Sequence, residues 1–353
     1  MQALQGLATP PRLKVADLSV VEPAVRRRPV AKLTVVIPAL NEAATVGAVI
    51  AAVPRVIEGV GRVEVILVDD GSTDATQAEA VAAGVDAIVT HTRRRGLVAA
   101  FKAGVREALQ RGASVVVHLD ADGQHDPELI PELIEPILGL EADLVLGVRS
   151  LATAQDMSIV RRYGNLIGAW ATRRVLGLEI SDATTGYRAF TREALLRLNV
   201  VSEYTYTLET LIEAARKHLS VAEVSVPVKG RLTGESRMTH SVTRYIRRTG
   251  GQACSSLLRD HLVGLLLRFA FVFLLAAAAT TGWFVWGYHA DGIGRHLPAL
   301  LAAVLSATVS VGFFVTGLLA SAIESSRRLL EDALYHVKCL ELGVGVDAGK
   351  EVR

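Results

Sequence analysis

Two long runs without a charged residue dominate the C-terminal third of the sequence. Phe269 to Trp286 gives 18 such residues and extends backwards through Arg268 to Leu262, while Leu297 to Ile323 gives 27. At about 1.5 Å of rise per residue, helices of this length cross a hydrocarbon core of about 30 Å. We therefore predict two transmembrane helices, at about 262–288 and 297–323, in preference to a pair of helices buried in a large soluble core.

Basic residues flank these two runs unevenly. Both outer flanks are rich in arginine and lysine, whereas the short link at 289–296 holds only Arg295 against Asp291. Lysine and arginine concentrate on the cytoplasmic side of membrane helices. We expect a helical hairpin with both outer flanks in the cytoplasm, in an integral protein of the plasma or inner membrane. The flanking basic residues are Arg244, Arg247, Arg248, Arg259, Arg327, Arg328 and Lys338.

Before the hairpin, from Lys32 to about Val228, short β-branched runs alternate with longer segments rich in Ala, Leu, Glu and Arg. This alternation predicts βαβ units and an α/β fold, with a mostly parallel sheet covered on both faces. Ligands of such sheets bind at the carboxyl ends of the strands. The predicted strands are 33–37, 63–68, 87–90, 115–119 and 144–148, and the predicted helices are 42–53, 73–83, 96–111 and 127–139.

Charge and cysteine content exclude several classes of protein. The 38 basic and 36 acidic residues leave a net charge of +2, too small to indicate a nucleic-acid-binding protein. The two cysteines, Cys254 and Cys339, form no CxxC pair, so neither a disulfide framework nor a zinc site is predicted. The sequence contains neither GxGxxG nor GxxxxGK[ST] after a predicted strand, which removes the dinucleotide and P-loop classes.

The segment Asp120-Ala121-Asp122-Gly123-Gln124 directly follows the predicted strand 115–119. Two carboxylates two residues apart, with a glycine that permits a sharp turn, can hold Mg²⁺ or Mn²⁺ and leave positions open for phosphate oxygens. An EF-hand loop has glycine at its sixth position, and here glycine is fourth. A haloacid-dehalogenase-like phosphatase carries its DxDG on the first strand, and here three predicted strands come before 115–119. A nucleotide-sugar site is the interpretation that remains.

Two other predicted strands also end in polar residues. The first leads into Pro38-Ala39-Leu40-Asn41-Glu42, and the second into Asp69-Asp70-Gly71-Ser72-Thr73-Asp74. A carboxylate at a strand end can accept hydrogen bonds from a base or a ribose hydroxyl, and Ser or Asp can also cap a helix. We predict ligand contact for Asp69 and Asp70, and capping for Asp74.

Six segments, IPALNE, VDDGSTD, DADGQHDP, LVLGVRS, DATTGYRAF and RLTGESR, occur in an order and spacing that resemble family 2 glycosyltransferases of the GT-A fold. The nearest subgroup is similar to dolichol-phosphate mannose synthases and bacterial polyprenyl-phosphate hexosyltransferases with two C-terminal membrane helices. The resemblance implies a Rossmann-like GT-A domain. It also implies inverting, metal-dependent transfer of a hexose from a UDP- or GDP-hexose to a polyprenyl phosphate.

The resemblance also assigns residues, each by its position in a motif. Arg237 stands where the family commonly has Lys, and Asn165 where it has Ser; Arg162 is an alternative to Arg161. Implied for the metal, Mg²⁺ or Mn²⁺, are Asp120, Asp122 and Gln124. Implied for the donor nucleotide are Pro38, Leu40, Glu42, Asp69, Asp70, Asp120 and Ala121. Implied for the acceptor phosphate are Arg149, Arg161, Asn165, Arg231, Ser236 and Arg237, and Asp122, Arg149 and Arg231 are the implied catalytic residues.

The predicted domains are an N-terminal arm (1–31), a glycosyltransferase domain (32–236), a basic juxtamembrane region (237–261), the two membrane helices (262–323) and an amphipathic helix with a tail (324–353). The expected partners are a nucleotide sugar, a polyprenyl phosphate and the membrane, without nucleic acid. Association of copies through the membrane and C-terminal helices is a further expectation. Two alternatives stay open: transfer to a sugar hydroxyl, with Glu209 as base, and a non-catalytic membrane partner that retains the fold.

Overall fold

A seven-stranded sheet forms the centre of the N-terminal part of the chain. The computed structural model describes residues 29–149, 180–201, 206–227, 242–291 and 293–343. The strands lie in the order β3-β2-β1-β4-β6-β5-β7. They are β1 (Leu33–Ala39), β2 (Val63–Asp69), β3 (Ala87–Thr90), β4 (Val115–His118), β5 (Leu144–Arg149), β6 (Arg188–Thr191) and β7 (Val221–Val226).

Helices cover the sheet and form the C-terminal part. They are α1 (Val46–Ala51), α2 (Thr76–Ala82), α3 (Leu97–Gln110), α4 (Ile130–Leu138), α5 (Arg192–Arg197), α6 (Tyr206–Arg216), α7 (Val242–Asp291) and α8 (Ile293–Glu341), with a 3₁₀ turn at Pro127–Leu129 before α4.

The sheet is mostly parallel, which confirms the predicted fold class. Strands β1, β2, β3 and β4 pair in parallel, as do β5 and β7, and only β6 runs antiparallel to its two neighbours. All five predicted strands are present, and β6 and β7 are additional. All seven residues of β1 and of β2 are buried, as expected of parallel strands covered on both faces.

The two faces of the sheet carry different helices. Helices α1 and α4 pack in one hydrophobic core with the side chains of Val35 and Leu67. Helix α3 lies on the other face, where Gly104 approaches so closely that a Cβ atom would stand 2.3 Å from Val36 and 2.9 Å from Val68. Helices therefore cover both faces of the sheet, and a ligand-binding site is expected at the carboxyl ends of the strands.

Helices α7 and α8 form a second compact unit, residues 238–337, whereas 338–353 group with 1–237. The stretches Leu262–His289 and Leu297–Glu341 are long and apolar enough to cross a membrane. Small residues pack between the helices: Ser310 Oγ donates to the Ala270 carbonyl at 2.7 Å, and Ala277 and Ala303 are buried.

These two helices are longer than the apolar runs that predict them. Helix α7 begins at Val242, inside the predicted juxtamembrane region 237–261, and continues without a break through the first apolar run. The amphipathic segment after the second run is likewise part of α8, which ends at Glu341. The link is also shorter than the predicted 289–296, since α7 ends at Asp291 and α8 begins at Ile293.

Candidate active site

The carboxyl ends of β1, β2 and β4 meet at one edge of the sheet, because these strands are parallel neighbours. The loops after β1 and β2 are joined by side-chain hydrogen bonds. Asn41 Oδ1 accepts from the Thr73 backbone N–H at 2.8 Å, and Ser72 Oγ accepts from the Asn41 N–H at 2.9 Å. The fold therefore brings together the two segments that the sequence analysis assigns to the nucleotide.

Residues of the first loop differ in exposure. Pro38 is buried inside β1, opposite Val68 in the parallel register. Leu40 and Glu42 follow the strand and are half-buried, and the Glu42 backbone N–H donates to Thr76 Oγ1 at 2.9 Å. Of these three residues predicted to contact the nucleotide, Leu40 and Glu42 lie at the open edge of the sheet, whereas Pro38 is a buried residue of strand β1.

The carboxylates of Asp69 and Asp70 are buried and accept hydrogen bonds from the protein itself. Asp69 accepts from the Ser72 N–H at 2.8 Å and from the Gln77 amide. Asp70 Oδ1 lies 2.8 Å from His91 Nδ1, and the Asp70 carboxylate also accepts from the backbone N–H groups of Arg95 and Gly96, both at 2.8 Å. Asp70 thus anchors the loop that leads into α3, and its contact with a nucleotide stays a prediction.

Asp74 does not take the N-cap position predicted for it: Ala75 is the N-cap of α2, without a side-chain hydrogen bond. The helix α2 begins after Ala75, and Asp74 accepts from the Thr76 N–H at 3.1 Å and from the Ala43 N–H at 3.2 Å. Burial raises the pKa of the Asp74 carboxyl, but these hydrogen bonds outweigh it and hold the pKa below its usual range. Asp74 therefore links the loops after β1 and β2 and accepts from the first backbone N–H of α2.

The predicted metal segment, Asp120 to Gln124, follows β4 at the same edge. Asp122 is only 8% exposed, and its Oδ1 accepts from the Gln124 backbone N–H at 3.1 Å. Gly123 between them has φ of 71°, a left-handed conformation that glycine adopts without steric cost. The turn thus folds the segment back on itself directly after Asp122, next to the half-buried Asp120.

The donor atoms of this segment fit Mg²⁺ or Mn²⁺. Asp120, Asp122 and Gln124 offer carboxylate and amide oxygens, which are hard ligands. Among the described residues, no group of three or more His, Cys, Asp and Glu side chains could hold a metal ion. Mg²⁺ is commonly bound by one or two carboxylates, with water and substrate phosphate oxygens as its other ligands, and Asp120 and Asp122 offer such carboxylates.

Behind this segment lies a buried polar cluster that the sequence analysis missed, formed by His118, Arg188 and Tyr206. Arg188 is fully buried and donates to the carbonyls of Ala183, Thr185 and Thr207 and to Thr210 Oγ1, at 2.7 to 2.9 Å. His118 Nδ1 lies 3.0 Å from both the Gly186 carbonyl and the Tyr206 hydroxyl. These groups fix the loop 183–187 against β4.

The ionisation of this cluster follows from its burial. Burial lowers the pKa of His118 to about 4, and the charge of Arg188 acts in the same direction, so the ring is neutral at pH 7. Burial also raises the pKa of the Tyr206 hydroxyl, with a further contribution from the negative charge of Asp120. The cluster thus places one fixed positive charge, that of Arg188, behind the metal segment.

Most residues predicted to bind the acceptor lie outside the described residues: Arg161, Arg162, Asn165, Arg231, Ser236 and Arg237. Arg149 is the last residue of β5, whose backbone pairs with Val226 of β7. Glu209, the alternative base, is half-buried on α6, and its Oε1 accepts from the Val201 N–H at 2.8 Å. This contact favours a structural function for Glu209.

A family model described as Glycosyl transferase family 2 matches residues 34–198. Polyprenol monophosphomannose synthase from Mycolicibacterium smegmatis is 33% identical over 228 residues, which are 62% of this chain and 84% of that protein. The chain belongs to glycosyltransferase family 2. Undecaprenyl-phosphate mannosyltransferase from Micrococcus luteus is another relative, 33% identical over 53% of this chain and 81% of its own length.

Among solved structures, this glycosyltransferase is similar to glucosyl-3-phosphoglycerate synthase from Mycobacterium tuberculosis. In its complex with Mn²⁺, UDP-glucose and phosphoglyceric acid, that protein has a TM-score of 0.51 and 25% identity, over 64% of this chain and 80% of its own. The likeness agrees with the GT-A fold and with the recognition of the family from its motifs.

Proposed function

We propose that this glycosyltransferase moves a hexose from a UDP- or GDP-hexose to a polyprenyl phosphate at the cytoplasmic face of the membrane. The observation that carries the proposal is the similarity to two enzymes named for transfer of mannose to polyprenol or undecaprenyl phosphate. The two apolar helices agree with it, because a polyprenyl acceptor resides in a bilayer.

The donor site of this proposal is the edge formed by the loops after β1, β2 and β4. Asp120, Asp122 and Gln124 would hold Mg²⁺ or Mn²⁺ there, and a bound cation would neutralise the charge that develops on the departing nucleoside diphosphate. The similarity to a protein solved with Mn²⁺ and UDP-glucose supports this assignment. The chain's own contribution is to hold these oxygens on the turn at Gly123, so that they need not reorganise during transfer.

The acceptor of this proposal needs no general base. A phosphate monoester has its second pKa at about 6 and is therefore already ionised at pH 7. The requirement is instead for cations that draw two anionic substrates together, which suits Arg149, Arg161 or Arg162, Asn165 and the segment with Arg231, Ser236 and Arg237. A single displacement by the phosphate oxygen would invert the anomeric centre. The contact of Glu209 with Val201 supports this reading over a hydroxyl acceptor.

The experiment that tests the proposal uses purified full-length protein, with UDP- and GDP-hexoses and a short polyprenyl phosphate. The matched control acceptor is the same polyprenol without its phosphate. We expect a polyprenyl-phosphate hexose with one of the nucleotide sugars, in the presence of Mg²⁺ or Mn²⁺, and no product with the alcohol. Equal transfer to the alcohol, or transfer only to a sugar hydroxyl, would contradict the proposal.

A further inference from the structure

We infer that Gly186 is a positioning residue for Asp120: its missing side chain leaves the space that the Asp120 carboxylate occupies. Strands β4 and β6 pair antiparallel, with His118 opposite Arg188 and Val117 opposite Ala189. Two residues beyond the last pair, the same register sets Asp120 opposite Gly186. Directly opposed residues of antiparallel strands have Cβ atoms about 4.5–5.5 Å apart, so a side chain at 186 would adjoin that of Asp120.

The distances make this opposition a steric one. A Cβ atom built on Gly186 would lie 2.7 Å from Asp120 Oδ2 and 3.3 Å from its Cγ. A carbon and an oxygen cannot stay 2.7 Å apart without a shift, since contacts between such atoms have their optimum beyond 3 Å. Gly186 is also absent from the residues with positive φ, so alanine does not meet the steric cost of the left-handed region at this position. The collision with the carboxylate is thus the principal effect of adding a methyl group.

The backbone of Gly186 has little freedom to move away. Its carbonyl lies within hydrogen-bonding distance of His118 Nδ1, at 3.0 Å. On either side, Arg188 Nε donates to the Thr185 carbonyl at 2.8 Å, and Thr185 Oγ1 donates to the Gly147 carbonyl at 2.7 Å. Three separate elements, β4, β5 and β6, therefore hold the loop.

A methyl group at 186 should consequently displace the carboxylate and leave the loop in place. The Asp120 side chain has two rotatable bonds, whereas moving the loop would break several buried hydrogen bonds at once. The inference rests on the proposed function, because it is the metal-holding function of Asp120 that the displacement would impair. It adds Gly186 to the residues on which the metal site depends.

The test measures Mn²⁺ affinity rather than turnover. Full-length protein in detergent is titrated with Mn²⁺ in the presence of UDP and, separately, GDP, and free Mn²⁺ is followed by electron paramagnetic resonance. We expect Gly186→Ala to weaken Mn²⁺ binding at least tenfold. The control is Gly47→Ala in α1, where a Cβ atom would make only an ordinary contact, 3.7 Å from the Glu79 carbonyl oxygen; its Mn²⁺ affinity should equal that of the wild type.

Failure of the proposed function and failure of this inference give different results. If the wild type binds no Mn²⁺ with either nucleotide, the metal assignment itself is wrong. If the wild type binds Mn²⁺ and Gly186→Ala binds it within twofold of the wild type, the inference is overturned.

A second variant keeps the inference testable if Gly186→Ala lowers the unfolding temperature. In an Asp120→Ser background the carboxylate is gone, so adding Gly186→Ala should leave the unfolding temperature unchanged. A drop in unfolding temperature that persists in this background would place the collision elsewhere and overturn the inference.

Discussion

Asp122 and Glu128 lie on the same stretch after β4, but Asp122 is buried and Glu128 is exposed. If Asp122 holds the metal, Asp122→Asn replaces an anionic ligand by a neutral amide and weakens the hold on the cation that would neutralise the departing diphosphate. Transfer should then fall by about 10²–10³-fold. Glu128→Gln is the matched control and should retain wild-type turnover. The measurement is initial rate with saturating Mn²⁺, with membrane insertion checked in parallel. Full turnover of the wild type in excess EDTA would contradict the assignment.

The choice between a phosphate and a hydroxyl acceptor is also decided by single residues. With an ionised phosphate as nucleophile, Arg149→Ala or Arg231→Ala should lower transfer about ten- to a hundredfold, because each loses a charge-assisted contact worth about 1.5–3 kcal/mol. Glu209→Gln should change the rate much less, since Glu209 accepts a backbone hydrogen bond from Val201. Transfer and donor hydrolysis are measured for all three variants, and hydrolysis should survive the arginine substitutions better.

The opposite pattern would have a clear meaning. Loss of transfer in Glu209→Gln, with both arginine variants near wild type, would identify a general base and therefore a hydroxyl acceptor. Unfolding temperatures of the three variants serve as the folding control.

At the level of elements, the start of α3 depends on the carboxylate of Asp70, directly after β2. Asp70 accepts from the N–H groups of Arg95 and Gly96, directly before the helix, and contacts His91. Asp70→Asn removes the charge, leaves buried donors poorly satisfied and should lower the free energy of unfolding by about 1–3 kcal/mol. The control is Glu107→Gln on the exposed side of the same helix, whose ion pair with Arg111 should contribute less than about 0.5 kcal/mol.

Denaturant unfolding with and without nucleotide separates the two functions assigned to Asp70. An anchor of α3 predicts lower stability in both conditions. Unchanged stability with weaker nucleotide binding would instead identify the direct ligand contact that the sequence analysis predicts.

The predictable elements are those with local signals. Strands β1 and β2 are recognisable because continuous apolar runs must be buried on both faces, and Asp120 to Gln124 because the segment directly follows such a strand. Strand β6 has only four residues, and one of them is the buried Arg188, so no apolar pattern marks it.

The cluster behind the metal segment was not predictable for a different reason. His118 and Tyr206 are 88 residues apart and meet only because β6 and α6 fold back on β4. By contrast, His91 directly follows β3, at the same edge of the sheet as Asp70, so its place in the sequence is a signal from which their contact could be predicted.

At the scale of the whole molecule, the two units differ in how much apolar surface they expose, as expected if one lies in water and the other in lipid. The unit 238–337 exposes large apolar side chains such as Phe271, Trp283 and Leu305, whereas the hydrophobic residues of β1 and β2 are buried. Exposed apolar surface of this extent is unfavourable in water, whereas in a bilayer it contacts the hydrocarbon chains of the lipids. A lipid-linked acceptor would then share the bilayer with the hairpin, so its phosphate would stay near the membrane surface.

The side on which that phosphate is used depends on the orientation of the hairpin. The charge distribution predicts that both outer flanks are cytoplasmic and that the turn between α7 and α8 is external. In a background without Cys254 and Cys339, His289→Cys at the end of α7 should react with an impermeant thiol reagent on intact cells. Ser325→Cys, an exposed position beyond the second apolar run, should react only after the membrane is permeabilised. The reverse labelling pattern would place the glycosyltransferase domain outside the cell, where nucleotide sugars are not supplied. That result would refute the proposed cytoplasmic site of transfer. It would not affect the assignment of the fold or of the family.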